Sequence, residues 1–372
     1  MVTTVRYLGP NWYASVMGTA ALALGGGALG VDGLRELFVG LWALSLVQLV
    51  VLLAARALHW TYHADQARAH LRDPAMAPFY GCLSMALLAV GAGALALGQY
   101  WIGEPAAVAL DSVLFVAGTA VGLAAAVAVP YLMAVRHRVE PGQATAVWLL
   151  PLVAPMVSAA LGPRLASHLP PGQPRETLLY GCFTLFGLSL LATLLMLTLV
   201  FARLVTTGPL SLALTPTIFL VLGPLGQSTT AVGAFADLAP GVVPAQDATG
   251  FGLLAVLYGV PVMGFALMWL ALAVAHVVRA WRHGMRFAMT WWAFTFPVGT
   301  CVTGAAALAR HTGLAVYDWL AVGLYAVLVA GWLAAAAGTV RGLLSGELLA
   351  GPRPVRVAPL PVTGRTTSGA VR

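Results

Sequence analysis

Long apolar runs follow one another along this chain, and most of its charged residues fall between them. Hydrophobic residues make up 60% of the 372 residues and charged residues only 8%, whereas a soluble globular domain carries about 25% charge. A helix needs about 20 apolar residues to cross the hydrocarbon layer, and the runs lack the alternation of a membrane barrel. The sequence therefore predicts an all-α integral membrane protein. The expected helices are 11–30, 37–57, 78–100, 107–135, 144–161, 178–205, 210–235, 248–278, 287–309 and 315–343.

The chain divides into a transmembrane domain and a tail. Residues 1–350 hold all ten predicted helices. Residues 351–372 are rich in Pro, Thr, Ser, Gly and Arg and contain no acid, so they cannot bury enough apolar surface to fold. We expect a disordered cytoplasmic tail.

Arginine placement predicts the orientation, because cytoplasmic loops retain basic residues. All nineteen basic residues are arginine, and all but four fall on one side of the predicted helices. The four on the other side are Arg35, Arg164, Arg175 and Arg310. We therefore expect a multi-pass protein of the cell membrane, surrounded by lipid bilayer, with both termini cytoplasmic and no nucleic-acid partner.

The odd-numbered helices differ from the even-numbered ones. They begin near residues 11, 78, 146, 211 and 289, at intervals of 65 to 78 residues, and they carry most of the prolines at or near the helices. A near-constant interval indicates a repeated unit. We interpret the unit as a helical hairpin used five times, with five kinked helices around a central pore and five plainer helices outside them.

One uncharged stretch, 289–303, carries a proline, a glycine and four threonines at membrane depth. Proline removes a backbone hydrogen bond and bends a helix, which a membrane tolerates where protein or a water-filled cavity takes up the freed polar group. We expect Phe296 and Pro297 to lie beside the pore, with the phenyl ring as its plug. Phe294 is the competing gate.

Neutral polar and helix-breaking residues supply the other predicted pore lining. Such residues let backbone amides and side-chain donors face an anion without holding it tightly. For glycines such as Gly18 and Gly226, close helix packing is the alternative interpretation. The candidates are Asn11, Ser15, Gly18, Thr19, Pro151, Pro155, Pro224, Gly226, Gln227, Ser228, Thr295 and Gly299.

The sequence offers little for catalysis. Converging titratable groups at membrane depth are missing, and Asp111 and Asp318 are expected to face water near the outer helix ends. The three cysteines lack metal-ligand spacing, so we predict no metal, no cofactor and no enzyme. The alternative is a membrane redox subunit that binds haem or quinone, which would need histidines facing each other across the bilayer.

Several of these motifs together resemble the tellurite-resistance/dicarboxylate transporter family, which includes plant slow anion channels, fungal malate permeases and fungal sulfite efflux pumps. The matching residues are Gly9-Pro10-Asn11-Trp12, Val16-Met17-Gly18-Thr19, Trp148 to Pro155, Gly162-Pro163, Leu222-Gly223-Pro224, Gly226-Gln227-Ser228, Trp291-Trp292 and Thr295-Phe296-Pro297. The resemblance implies ten helices about a quasi-five-fold axis, a homotrimer with one pore per subunit, and a gating phenylalanine at Phe296. The expected function is a channel or facilitative transporter for small anions, with sulfite or a C4-dicarboxylate such as malate as the first candidates.

Overall fold

The computed structural model describes residues 6–31, 33–137, 139–140 and 142–349, and the regular structure in these ranges is helical, without strands. The predicted tail, 351–372, lies outside the described residues. A short amphipathic helix, Ala64–Arg72, connects the second long helix to the third. The long helices are α1 Tyr13–Ala28, α2 Arg35–Tyr62, α3 Ala77–Ile102, α4 Glu104–Val135, α5 Ala146–Ala166, α6 Gln173–Thr207, α7 Thr215–Leu238, α8 Ala245–Arg282, α9 Met289–Thr312 and α10 Ala315–Leu344.

Within the described ranges, the nine helices α2 to α10 are long and apolar enough to cross a membrane. Helix α1 is shorter, with 16 residues after the 3-10 turn Pro10–Trp12. The run predicted for it, 11–30, is longer than the helix because Gly30 takes a positive φ of 62° and leaves the helical conformation.

Burial alternates along the chain. In α3, α5, α7 and α9, between 83% and 89% of the most apolar window is buried inside the protein, against 22% to 33% in α2, α4, α6, α8 and α10. Helix α1 is buried along most of its length. The exposed side chains of the second set are largely Leu, Val, Phe and Trp, so this outer surface suits contact with lipid.

The five buried helices contact one another in a closed order. Helix α1 packs against α3, α3 against α5, α5 against α7, α7 against α9, and α9 returns to α1. Each also packs against the exposed helix that follows it in the chain. The buried helices therefore enclose the space in which the polar candidates lie.

Each buried helix begins with a 3-10 turn. These turns are Pro10–Trp12, Ala77–Phe79, Ala146–Leu149, Thr215–Val221 and Met289–Phe294. Prolines occupy first-turn positions in α1, α3, α7 and the α-helical part of α9, where their missing N–H leaves no helical bond unmade. Pro155 and Pro163, in contrast, lie inside α5. The expected kink at Pro297 is accordingly a first-turn proline: the break falls at Thr295, with φ −102° and ψ −82°, and the α-helical part is Phe296–Thr312.

Candidate functional site

Phe296 lies where the 3-10 turn of α9 gives way to its α-helical part, and its side chain is 7% exposed. Two cavities flank it inside the bundle. Of the described residues, Phe296 is the one that lines both. Phe296 therefore stands at the boundary between them.

The narrow cavity lies toward the ends at which the buried helices begin and has a volume of about 30 Å³. Its walls are mainly apolar and come from all five buried helices, with Thr217 and Thr290 among the few polar contributors. Pro297 lines it beside Phe296. At this volume the space admits only about one or two water molecules.

The wide cavity lies toward the other ends of the same helices and has a volume of about 400 Å³. Its lining is more polar and includes two arginines and an aspartate. The polar and charged residues that line it are Arg164, Ser167, Gln227, Thr230, Asp237, Thr300, Thr303 and Arg310. Gly299 also contributes to its wall.

Helices α7 and α9 meet closely beside this cavity. The Thr300 hydroxyl donates to Pro297 O over 2.7 Å and lies 3.3 Å from Leu222 O and Gly223 O, on the facing helix. Farther along, the hydroxyls of Thr230 and Thr303 lie 2.8 Å apart. These bonds hold the polar wall in a fixed geometry and keep the threonine protons engaged with the protein.

Charged residues gather at the far end of the wide cavity. Arg310 Nη2 donates to Asp237 Oδ2 over 3.0 Å, and His311 Nε2 lies 3.2 Å from Asp237 Oδ1. Arg164, in the last turn of α5, lines the same cavity. The cavity is thus polar and charged where it opens and bounded by an aromatic ring at its other end.

The structure brings together only part of the predicted lining. Gln227 and Gly299 line the wide cavity, Pro297 the narrow one and Phe296 both. Phe294, the competing gate, packs against Phe219 with ring centroids 5.0 Å apart and lines neither cavity. The other candidates that line neither are Asn11, Ser15, Gly18, Thr19, Pro151, Pro155, Pro224, Gly226, Ser228 and Thr295.

Several of these residues hold helices together. Gly18 faces Thr295 so closely that a Cβ would meet the threonine side chain, and Gly226 lies against the backbone of Thr300 and Cys301. The Thr19 hydroxyl accepts a hydrogen bond from Trp332 Nε1 over 3.0 Å, which ties α1 to α10. Ser15 and Ser228 donate within their own helices.

Sequence reasoning missed Arg164, Arg310 and Asp237 as cavity residues, and it placed Asp111 facing water. Asp111 is 2% exposed and one carboxylate oxygen lies against Gly91 on α3. The positions of the two arginines could have indicated this role, because Arg164 and Arg310 are basic residues in the last turns of buried helices. Across the ranges described, no group of three or more His, Cys, Asp or Glu residues is arranged to hold a metal ion.

Comparison with known proteins gives one family and several relatives. The family described as voltage-dependent anion channel matches residues 7–340. A sulfite efflux pump, SSU1, of Trichophyton rubrum is 25% identical over 361 residues, covering 91% of this chain and 92% of that protein. The uncharacterized transporter MJ0576 of Methanocaldococcus jannaschii is 25% identical over 349 residues, covering 92% and 95%. The SSU1 pump of Arthroderma otae is 26% identical over 361 residues, with 91% and 92% covered.

Proposed function

Because this chain belongs to the voltage-dependent anion channel family, we propose that it conducts small anions across a membrane, as a channel or a facilitative transporter and without an enzymatic step. The pathway runs between the narrow and wide cavities. Sulfite and C4-dicarboxylates such as malate are the first candidate substrates. Sulfite takes precedence because two relatives that match more than nine tenths of the chain carry the name sulfite efflux pump.

The observation that carries this proposal is the position of Phe296. A pathway that joins the two cavities has to pass its ring, because Phe296 lines both. A hydrophobic constriction stops ions by excluding the water that hydrates them. We therefore assign Phe296 as the gate, with Pro297 fixing the backbone immediately after it.

We propose that five helical hairpins surround the pathway. The closed order of α1, α3, α5, α7 and α9, each followed by an exposed helix, supports five hairpins around a quasi-five-fold axis. Helix α1 would be the tenth span. Its 16 residues extend about 24 Å and its 3-10 turn adds about 6 Å, which together approach the hydrocarbon thickness of about 30 Å.

We further propose a homotrimer in the cell membrane, with one pathway per subunit and both termini cytoplasmic. The arginine asymmetry supports this orientation, in which the narrow cavity would lie on the cytoplasmic side. Light scattering of the purified protein in detergent would measure the subunit number. Labelling of single cysteines introduced at Arg282 and Arg175 in intact cells would test the orientation, with labelling expected at position 175 alone.

The gate is tested by Phe296→Ala in proteoliposomes that report anion flux. We expect higher flux than in the wild-type protein, because removal of the ring joins the two cavities. Phe265→Ala is the matched control, since Phe265 is 38% exposed on the outer helix α8. Unchanged flux at equal protein incorporation would contradict the gate assignment.

A flux screen of sulfite, malate, succinate, chloride and nitrate would identify the substrate. Saturation and counterflow would indicate a carrier, and single-channel steps a pore. The haem-binding form of the alternative predicts a visible absorption band in the purified protein, and the quinone-binding form predicts a quinone that organic extraction recovers and ultraviolet absorption detects. A Soret band would overturn the transport proposal in its present form.

A further inference from the structure

Gln227 offers uncommitted hydrogen-bond donors to the wide cavity. Its side chain is 4% exposed and lines the cavity, yet its amide makes no hydrogen bond with any residue in the described ranges. The amide faces a cavity of about 400 Å³, which is roomy enough for water or a ligand to accept from it. Gln227 differs from the neighbouring polar groups in this respect. The hydroxyls of the three threonines on the same wall donate to backbone carbonyls.

Arg164, at the other end of this cavity, is a cation with no acceptor at bonding distance among the described residues, although Asp111 and Asp237 act on it electrostatically from farther away. Its guanidinium forms no ion pair and no hydrogen bond with a described residue, although it faces the cavity. The charge of Arg310 is compensated, since Asp237 Oδ2 accepts from Arg310 and Asp237 Oδ1 faces His311. Asp111 lies behind the wall, against Gly91, and does not line the cavity.

Gln227 and Arg164 lie at different depths in the wide cavity. Gln227 follows Gly226, which packs against Thr300 and Cys301 one turn beyond Phe296. Asp237 is ten residues farther along α7, or about 15 Å at 1.5 Å per residue, and marks the charged end. The cavity therefore has one unpaired cation where it opens and one neutral amide donor near the aromatic ring.

Resting on the proposed transport function, we propose that the wide cavity is a binding compartment for a small oxyanion with a single negative charge. Arg164 draws the anion into the cavity and pairs with its oxygens. The Gln227 amide then donates to an oxygen beside Phe296. A guanidinium presents paired donors that match two oxygens of an oxyanion, and an amide without charge holds the anion weakly enough to release it.

Arg164 and Gln227 together favour anions with one negative charge over anions with two. A C4-dicarboxylate brings a second carboxylate, and the only unpaired cation lining the cavity within the described ranges is Arg164. A carboxylate removed from water without a partner is strongly disfavoured. Arg164 would compensate the single charge of hydrogensulfite or formate. Malate and succinate would enter the cavity less readily, because their second carboxylate would have no cation to pair with.

Proteoliposome flux of the full chain tests this selectivity with hydrogensulfite, formate, malate and succinate. The pH is set below the second pKa of sulfurous acid and above the pKa of both carboxyl groups of malate and succinate, so that hydrogensulfite carries one charge and the dicarboxylates two. We expect the two singly charged anions to move faster than the two dicarboxylates. Gln227→Glu keeps the size of the side chain and adds a like charge, so we expect a loss on the order of tenfold or more in flux of the singly charged anions. Gln99→Glu, at a residue of α3 that lines neither cavity, is the matched control.

The role of Arg164 in drawing in the anion is tested by Arg164→Gln. Arg35→Gln is its control, because it removes the same charge from an arginine that stacks on Tyr100. We expect Arg164→Gln to need a higher hydrogensulfite concentration for half-maximal flux than the wild-type protein. Arg35→Gln should need the same concentration as the wild type. Gln227→Leu is the alternative variant should Gln227→Glu fail to fold, with a smaller loss expected. Equal wild-type flux of malate and hydrogensulfite, or wild-type flux in Gln227→Glu, would overturn the inference.

Binding is measured separately from transport by the melting temperature of the detergent-solubilised protein. Hydrogensulfite should raise it in the wild-type protein and leave it unchanged in Gln227→Glu. A wild-type protein that moves none of the four anions contradicts the proposed transport function. The hydrogensulfite-dependent shift, present in the wild type and lost in Gln227→Glu, would in that case still support the binding compartment.

Discussion

Gly226 on α7 lies against Thr300 on α9 so closely that a Cβ at Gly226 would come within 2.5 Å of the Thr300 carbonyl carbon. The Thr300 hydroxyl also lies 3.3 Å from Leu222 O and Gly223 O of α7, so contacts on both sides hold the two helices at this separation. The contact fixes α9 one turn beyond Phe296. The distance between these two helices therefore positions the proposed gate.

Gly226→Ala should destabilise the protein by about 1–3 kcal/mol, the usual cost of overpacking a well-packed core. Thermal unfolding in detergent would measure the loss as a lower melting temperature. Gly264→Ala on α8 is the matched control, because a Cβ there meets no atom within 4 Å. An unchanged melting temperature for Gly226→Ala would mean that α7 and α9 separate easily.

Phe294→Ala should lower stability without opening the pathway. Phe294 packs against Phe219 and Trp291 and its backbone approaches Gly331, but it lines neither cavity. We expect a lower melting temperature and anion flux close to that of the wild type. Flux that rises as much as in Phe296→Ala would assign the gate to Phe294 instead.

Asp237→Asn should shift selectivity toward dicarboxylates. The substitution leaves Arg310 without its ion-pair partner and adds a second uncompensated cation to the wide cavity. We expect the ratio of malate flux to hydrogensulfite flux to rise several-fold, measured in proteoliposomes. Asp318→Asn, an exposed carboxylate at the same end of the bundle, should leave the ratio unchanged; an equal rise there would indicate a general surface-charge effect.

Stability should fall as the pH drops through the range in which free histidine gains a proton. Burial lowers the pKa of His70, in the helix Ala64–Arg72, below its ordinary value of 6.5, and the Arg56 guanidinium acts in the same direction while Asp73 opposes it. The unfolded chain therefore takes up the proton first as the pH falls below 6.5, and this favours unfolding.

His70→Gln removes that contribution, so its melting temperature should vary less between neutral and mildly acidic pH than that of the wild type. His283→Gln, at an exposed histidine that follows α8, serves as the control and should keep the wild-type dependence. Identical pH profiles for His70→Gln and the wild-type protein would show that other groups dominate the acid response.

Hydropathy was sufficient to predict the helical membrane class, because long apolar segments leave few alternatives. The family was predicted from the resemblance of motifs such as Gly226-Gln227-Ser228 and Thr295-Phe296-Pro297. The difference between buried and exposed helices was also visible, since prolines cluster in the buried ones. The positions of the breaks were harder to predict. A proline in a sequence marks either a kink or a first turn, and Pro297 occupies a first turn because Thr295 leaves the helix just before it.

The wide cavity could not be predicted, because it depends on which helix ends face each other. Arg164 and Arg310 are 146 positions apart in the sequence and looked like ordinary loop-side arginines. Asp111 was expected to face water, but the small Gly91 on α3 leaves room for its carboxylate inside the protein. Gln227 was predicted from its polar type, whereas its lack of a partner becomes visible only when every neighbour is placed.

The break at Thr295 has a consequence for how the protein sits in its lipid surroundings. Phe296 belongs to a helix that other helices bury, whereas the lipid-facing surface is formed mainly by α2, α4, α6, α8 and α10. If the proposed gate opens by rotation of the Phe296 ring beside Thr295, the passage changes without movement of that surface. The area that the protein occupies in the bilayer would then stay constant during opening, so we expect anion flux to be insensitive to membrane tension and bilayer thickness.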